Sequence, residues 1–268
     1  VKNNSSNPVH PANPEILSSS VVPLTEAIMM RTQVKRGVMA ALVSLAAAGA
    51  MQAQADTRPT LAVMNFQNGA LGSAQTELAP LTVGIQDLLI YTLSGNDKLR
   101  VVERANLQQL MKEQDLGASG RVDAASAAKL GKILGAGHMI FGSFVTDTKG
   151  NMRIVAHSTN VETTLIEYNT SVEGKQADVM ALITKLADQL NAGLKLPSLT
   201  TAMIDSTMKT AKKVPFQATL LYSRALAAKD AGNNAEAVQL LQKSLETFPD
   251  FAPAQQELKK LQPASGGE

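Results

Sequence analysis

Residues 138–172 hold three β-patterned runs in succession, joined only by short turns, and this triplet limits the possible folds more than any other feature of the chain. Residues 138–146 carry Met139, Ile140, Phe144 and Val145. Thr148-Lys149-Gly150-Asn151 has the composition of a hairpin turn, and residues 152–161 and 165–172 read as two more strands joined by a short turn. A meander of this kind leaves two sheet faces that must be covered. The segments around it supply helices. Residues 61–66 (Leu-Ala-Val-Met-Asn-Phe) read as a buried strand, followed by a loop at Gly69, Gly72 and Ser73. Residues 78–93 place Leu78, Leu81, Ile85, Leu88, Leu89 and Thr92 at helical spacing, and Ser94-Gly95-Asn96-Asp97 stops that helix. Residues 99–102 form a second strand, and Leu107, Leu110 and Met111 mark a helix over 104–114. Asp123 reads as the N-cap of a helix that carries Ala127, Leu130 and Leu134 and ends at Gly135. A long helix over 176–194 repeats Val179, Leu182, Ile183, Leu186 and Leu190. The order β-α-β-α-α-β-β-β-α predicts an α/β fold, a mixed sheet sandwiched with helices.

Residues 197–215 read as a linker with weak helical character. Beyond it the composition shifts to Ala, Leu, Gln and Lys, with helices over 216–231 and 234–248 and a third starting near Ala252. The segment 216–268 fits one tetratricopeptide-like (TPR-like) repeat. Small Ala225 stands where two helices approach, Gly232-Asn233 makes the turn, Ala237, Leu241 and Leu245 line the second helix, and Pro249 ends it. Ser244 stands where alanine is usual, and a plain helical hairpin fits the same residues. One repeat cannot bury its own face, so the unit is expected to pack on the first domain, a partner or a second copy. Tyr222 and Arg224 are read as solvated helix positions rather than groove residues.

The N-terminal part has a different character. Arg31, Lys35 and Arg36 precede an apolar run over 38–51, and Ala53-Gln54-Ala55 closes it before Asp56. Basic start, apolar run and small-residue site are the three parts of a cleaved secretory signal. A bilayer anchor needs about 20 apolar residues. Residues 1–28 are Ser-, Asn- and Pro-rich without periodicity, and translation is expected to start at Met29 or Met30. The expected units are therefore 1–55 (leader and signal), 56–196 (α/β domain), 197–215 (linker) and 216–268 (helical).

Cleavage removes Lys2, Arg31, Lys35, Arg36, Glu15 and Glu26 and leaves 21 basic against 21 acidic residues. A nucleic-acid binder shows a basic surplus or stripe, and this chain has none. The chain has no cysteine, hence no disulfide, thiolate nucleophile, Cys-ligated metal or lipidated cysteine. With no Trp, 3 Tyr and 6 Phe it lacks the aromatic girdles of an outer-membrane barrel.

No motif points to catalysis or to a cofactor. Gly131, Gly135, Gly137 and Gly142 precede a strand rather than open a helix after one, which fits a helix stop and turns better than a phosphate loop. His138 and His157 have no second metal ligand nearby in sequence. Glu103 and Arg104 are expected to hold a strand-to-helix junction. Catalytic, cofactor and metal residues are accordingly none, and no small-molecule ligand is expected.

One long stretch carries a family resemblance. It runs Val101-Val102-Glu103-Arg104, then Lys112-Glu113-Gln114, then Lys129-Leu130-Gly131-Lys132-Ile133-Leu134-Gly135-Ala136, then Phe141-Gly142-Ser143. This resembles the curli-secretion channel family, the CsgG-like proteins, over roughly residues 60–194. The resemblance implies an envelope protein, with relatives among periplasmic lipoproteins and the N-terminal domain of Tol-type proteins. Its channel members are lipoproteins that build a pore from two long β-hairpins, one after the Gly-Ser strand and one before the last long helix. Here those places are the short turn 148–151 and Val172-Glu173-Gly174 running almost directly into Gln176, and a membrane strand takes about 9–11 residues. The expected protein is a non-enzymatic periplasmic one, soluble or peripheral to the outer membrane. Its partners are envelope proteins, with self-association among the options and no membrane span after signal cleavage. A secretion-channel subunit is the alternative, and an enzyme the remaining class.

Overall fold

The computed structural model describes residues 56–113 and 123–262. The leader, the signal segment, Gln114, Leu116-Gly117, Val122 and the last six residues lie outside the described residues. Thr57–Glu268 is one compact unit. Its strands are β1 (Thr60–Asn68), β2 (Arg100–Val101), β3 (His138–Thr146), β4 (Asn151–Asn160) and β5 (Ile166–Lys175). They form one sheet in the order β2-β1-β3-β4-β5. β1 is parallel to β2 and β3, whereas β3, β4 and β5 are antiparallel in turn. The sheet is therefore mixed: the meander makes its antiparallel part, and the crossovers through the helices between β1, β2 and β3 make its parallel part.

The helices are α1 (Ser73–Glu77), α2 (Leu81–Ser94), α3 (Arg104–Glu113), α4 (Ala124–Leu134), α5 (Val179–Gly193), α6 (Thr201–Ala211), α7 (Phe216–Asp230), α8 (Asn234–Thr247) and α9 (Ala252–Leu261). Two apolar cores flank the sheet. On one face Leu61, Val63, Phe66, Ile140, Phe144 and Ile154 pack against α2 and α5. On the other, Ala62, Met64, Met139 and Val161 meet Leu107, Leu110, Ala127 and Leu130 of α3 and α4. The alternation of β1 between two cores is the period-2 geometry of a strand buried on both sides.

Local signals set the helix ends. Asp123 accepts a hydrogen bond from the Ser126 amide at 2.7 Å, and Gly135 closes α4 with φ 64°. A side chain is disfavoured in that left-handed region, which suits glycine there. Several boundaries differ from expectation. Ser73 begins the short helix α1 rather than ending a loop, the helix expected from Leu78 starts at Leu81, the 99–102 strand has two residues in the ladder, β5 runs on to Lys175, and α5 is preceded by a 3-10 turn over Gln176–Asp178. β1 also carries a register shift between Val63 and Phe66, where Gln86 donates to the Val63 carbonyl at 2.7 Å. A bulge interrupts the ladder, and a buried side-chain donor from α2 satisfies the carbonyl beside it.

The helical segment packs on the α/β part and extends its larger core. Tyr222, Ala225, Leu226, Leu241, Phe251 and Ala254 belong to the same cluster as Leu61 and Ile85. α7 lies across α2 with small residues at the crossing: an added Cβ at Gly84 would stand 1.8 Å from Ser223 Oγ. Ser244 is fully buried and donates to the Ala218 carbonyl at 2.8 Å, so its hydroxyl bridges α8 to α7. The stretch between α5 and α7 contains the eleven-residue helix α6, whose only buried residue is Ala211.

Candidate functional site

The most heavily buried charges lie where α2, α3, α7 and α9 meet. Arg104 begins α3 directly after β2, which places its guanidinium beside α2. Its Nε donates to Asp87 Oδ1 at 3.2 Å and its Nη1 to Asp230 Oδ2 at 2.6 Å. Gln108, one helical turn further on, donates to the same Asp230 oxygen at 2.7 Å. Tyr222 donates its hydroxyl to Asp87 Oδ2, and Phe251 packs edge-on against the tyrosine ring at 5.3 Å. Beside this group Glu257 accepts from Lys229 at 2.7 Å and from Lys260 at 2.6 Å.

The electrostatics follow from burial. Desolvation raises the Asp87 carboxyl above its ordinary value, more than the Tyr222 hydrogen bond and the Arg104 charge lower it. Tyr222 is pushed well above the ordinary phenol value by burial and by the Asp87 charge. Burial works against the Arg104 cation, but the bonds and charges of Asp230 and Asp87 outweigh it. Glu257 goes the other way: burial would raise it, and the two lysine hydrogen bonds hold it below the usual carboxylate value.

A carboxyl depressed in the folded state adds stability above its unfolded value and loses it as pH falls through the folded value. Glu257 therefore contributes to acid unfolding, whereas Asp87, raised on folding, contributes most at low pH and loses that contribution as pH rises through its folded value. Glu257→Gln is expected to lower neutral-pH stability by roughly 1–3 kcal/mol and to flatten the loss of stability between pH 5 and pH 3. Thermal unfolding followed across that range checks both; an unchanged acid limb would refute the assignment.

This geometry corrects one expectation. Tyr222 is 1% exposed and is an anchor of the junction, not a solvated position, because α7 turns that edge onto α2. Arg224 is exposed as expected. Arg104 holds the strand-to-helix junction and also reaches α7, while Glu103 is exposed and uses its backbone carbonyl for the first turn of α3. The signal available in the sequence was Asp87 and Arg104 themselves, each a charge beside apolar helix positions.

The histidines stand on the meander. His138 Nδ1 lies 2.6 Å from Glu167 Oε1, and Ser158 donates to the same oxygen at 2.9 Å. In a nucleophile relay the imidazole sits between hydroxyl and carboxylate; here the carboxylate sits between the other two. His157 pairs with Asn169 at 2.5 Å and stacks obliquely on Phe141. Among the described residues no group of three or more His, Asp or Glu side chains is placed to hold a metal. Of the glycines singled out above, Gly135 caps α4, and Gly131 and Gly142 serve close packing. A Cβ at Gly131 would stand 2.4 Å from Val161 Cγ2, and one at Gly142 would stand 2.0 Å from the Val155 carbonyl oxygen.

The two junctions of interest for transport are short. β3 and β4 are joined by residues 147–150, with Asp147 accepting from the amides of Lys149 and Asn151 at 2.9 and 2.8 Å. The Asn151 side-chain amide, which donates to Asp147 Oδ2 at 2.6 Å, leads these bonds in holding the Asp147 carboxyl below its ordinary value. β5 passes into α5 through the 3-10 turn alone. Among the described residues no helix is long and apolar enough to cross a membrane.

A family model, curli production assembly/transport component CsgG, matches residues 38–240. The match runs beyond the α/β part through α6 and α7 into α8. Among solved structures the chain is similar to the LpoB C-terminal domain from Escherichia coli, at 19% identity over 44% of this chain and 82% of that one, TM-score 0.30. It is similar to lipoprotein GNA1162 from Neisseria meningitidis at 14% identity over 53% and 99%, TM-score 0.34. It is similar to a PelC dodecamer from Paraburkholderia phytofirmans at 9% identity over 52% and 90%, TM-score 0.32. No curated protein matches the chain.

Proposed function

The chain belongs to the curli production assembly/transport component (CsgG) family, and from that premise we propose that it is a non-enzymatic periplasmic protein. Its work is protein–protein interaction in cell-envelope assembly or secretion. The observation that carries this reading is the pair of closed junctions. Where pore-forming members insert hairpins, this chain has a four-residue turn braced by Asp147 and a 3-10 turn. A strand pair long enough for a bilayer fits neither, at about 9–11 residues per strand. The soluble scaffold then remains, joined to a helical unit of a type that usually presents binding surface. In this reading residues 1–55 are removed, 56–196 are the family domain, 197–215 the connection and 216–268 the TPR-like addition.

The buried junction supports the non-enzymatic part. Asp87 has the shifted carboxyl of a catalytic acid, but both its oxygens are taken, and it lines neither the cleft beside α6 nor the groove at the turn between β3 and β4. Such perturbation also arises in structural ion networks.

Cell fractionation with N-terminal sequencing tests export: the expected product is periplasmic and begins at Asp56. Planar-bilayer recording tests the second reading, a secretion-channel subunit, which the transport component in the family's description favours. The expected result is no stable conductance. Defined single-channel steps from the purified protein, or recovery in the cytoplasm, would overturn the proposal.

A further inference from the structure

β5 is an edge of the sheet, and among the described residues no strand lies beyond it. The ladder parity fixes which of its backbone groups are spare. Gln176 donates its amide to the Gly150 carbonyl at 2.9 Å, so Gly174–Met152, Val172–Ile154 and Thr170–Ala156 are the hydrogen-bonded pairs with β4. Asn169, Ser171, Glu173 and Lys175 therefore turn their N–H and C=O groups away from β4. Among the described residues no backbone group outside the sheet takes these up. Such a row is a template for one more strand.

Edges are commonly blunted by charge, by proline or by a bulge. The bulge of β5 stands at its start, where the register shifts between Ile166 and Tyr168 and Glu167 folds back onto His138 and Ser158. Residues 168–172 (Tyr-Asn-Thr-Ser-Val) carry no charge and no proline.

The open part of β5 is complementary to itself. About a two-fold axis at Ser171 a second β5 runs antiparallel, and every outward-turned residue meets another. Asn169 then lies opposite the partner's Glu173. Its Oδ1 is turned to His157, which leaves the Nδ2 donors without a partner among the described residues. Glu173 is an exposed carboxylate, and its contact with Arg153 leaves it acceptor capacity. On the opposite face Tyr168 lies over the partner's Gly174, where no side chain competes for the space. Symmetry makes each match twice. Moving the axis to Thr170 sets Glu173 against the partner's Glu167, and moving it to Val172 sets the Asn169 donors against the partner's Lys175. Like charges and opposed donors penalise both shifts.

We propose that β5 pairs antiparallel with β5 of a second copy of this chain, joining two five-stranded sheets into one about Ser171. The contact is isologous, the commonest symmetry of oligomers. It does not depend on the envelope role: a monomeric protein would leave export and the absence of conductance as they are.

The test is disulfide trapping in the purified protein, which has no cysteine of its own. Opposed residues of a hydrogen-bonded antiparallel pair stand about 5.5 Å apart at Cα, within the span of about 4.4–6.8 Å that a disulfide bridges. Ser171→Cys is expected to give a covalent dimer under mild oxidation. Asn169→Cys and Glu173→Cys are expected to link when mixed and to stay unlinked alone. Sedimentation equilibrium of the cysteine-free protein is expected to show monomer and dimer. Glu173→Lys, an exposed change, should weaken that dimer about tenfold by setting a cation against Asn169 in both pairs. A monomer at every soluble concentration overturns the proposal, as does failure of Ser171→Cys to link. So does Asn169→Cys linking alone as readily as Ser171→Cys, or a dimer that Glu173→Lys leaves unchanged.

Discussion

Replacing Arg104 with alanine is expected to destabilise the protein by about 3–5 kcal/mol, the usual cost of removing one partner from a buried ion cluster. The guanidinium is 7% exposed and stands between Asp87 and Asp230. Without it Asp87 and Asp230 lose their shared cation and keep only the neutral hydrogen bonds from Tyr222 and Gln108, respectively. The Asp87 carboxyl, already raised by burial, would rise further on loss of the cation. Urea unfolding measures the effect as a lower midpoint at unchanged slope. A companion variant separates the charge from the fold. Asp87→Asn combined with Arg104→Met leaves no uncompensated charge on that side of the cluster, so the pair should lose less than the sum of the two single changes. Additive losses, or a cost for Arg104→Ala below about 1 kcal/mol, would mean that the cluster behaves as a solvated surface pair.

The second large effect is expected at the α2–α7 crossing. Gly84→Ala should destabilise by about 1–3 kcal/mol, although alanine is the better helix former by about 1 kcal/mol. The new methyl would stand 1.8 Å from Ser223 Oγ and 2.6 Å from its Cβ. The hydroxyl can rotate away, but the Cβ moves only if the helix moves. Ser223→Gly removes both atoms, so the double variant should be more stable than Gly84→Ala alone despite a glycine inside α7. If Gly84→Ala instead stabilises, the close approach of the two helices is wrong. The two predictions bear on one question, how the helical segment is held. Arg104 and Tyr222 bind it through a polar network, and Gly84 and Ser223 bring its backbone close.

Element by element, the sequence was most informative where a local pattern has a local cause. Residues 138–146 read as a strand and are β3, because apolar runs bounded by turn residues have few other solutions. Asp123 and Gly135 mark the ends of α4 because capping is decided within a few residues. The antiparallel part of the sheet followed from the meander. Tyr222 was misjudged for the opposite reason. α7 is buried on several sides, with Ala218, Leu221, Tyr222 and Leu226 interleaved with buried Thr219 and Ser223, so its periodicity does not say which edge meets α2. The cleft beside α6 was invisible as well, since its lining comes from α2, α5, α6 and α9, and no short motif spans them.

The sequence by itself determined that the residues after Asp56 form a mixed sheet with helices packed on it, followed by a helical segment, and that the turns after β3 and before α5 are short. These are properties of neighbours along the chain. Tertiary structure alone decided that the helical segment shares the larger core and that Arg104 pairs with Asp230 at a separation of 126 residues. A residue's period records that one of its sides is buried. Which distant side chain it meets depends on how the layers stack, and that is settled only when the apolar faces of β1, α2 and α7 close on one another.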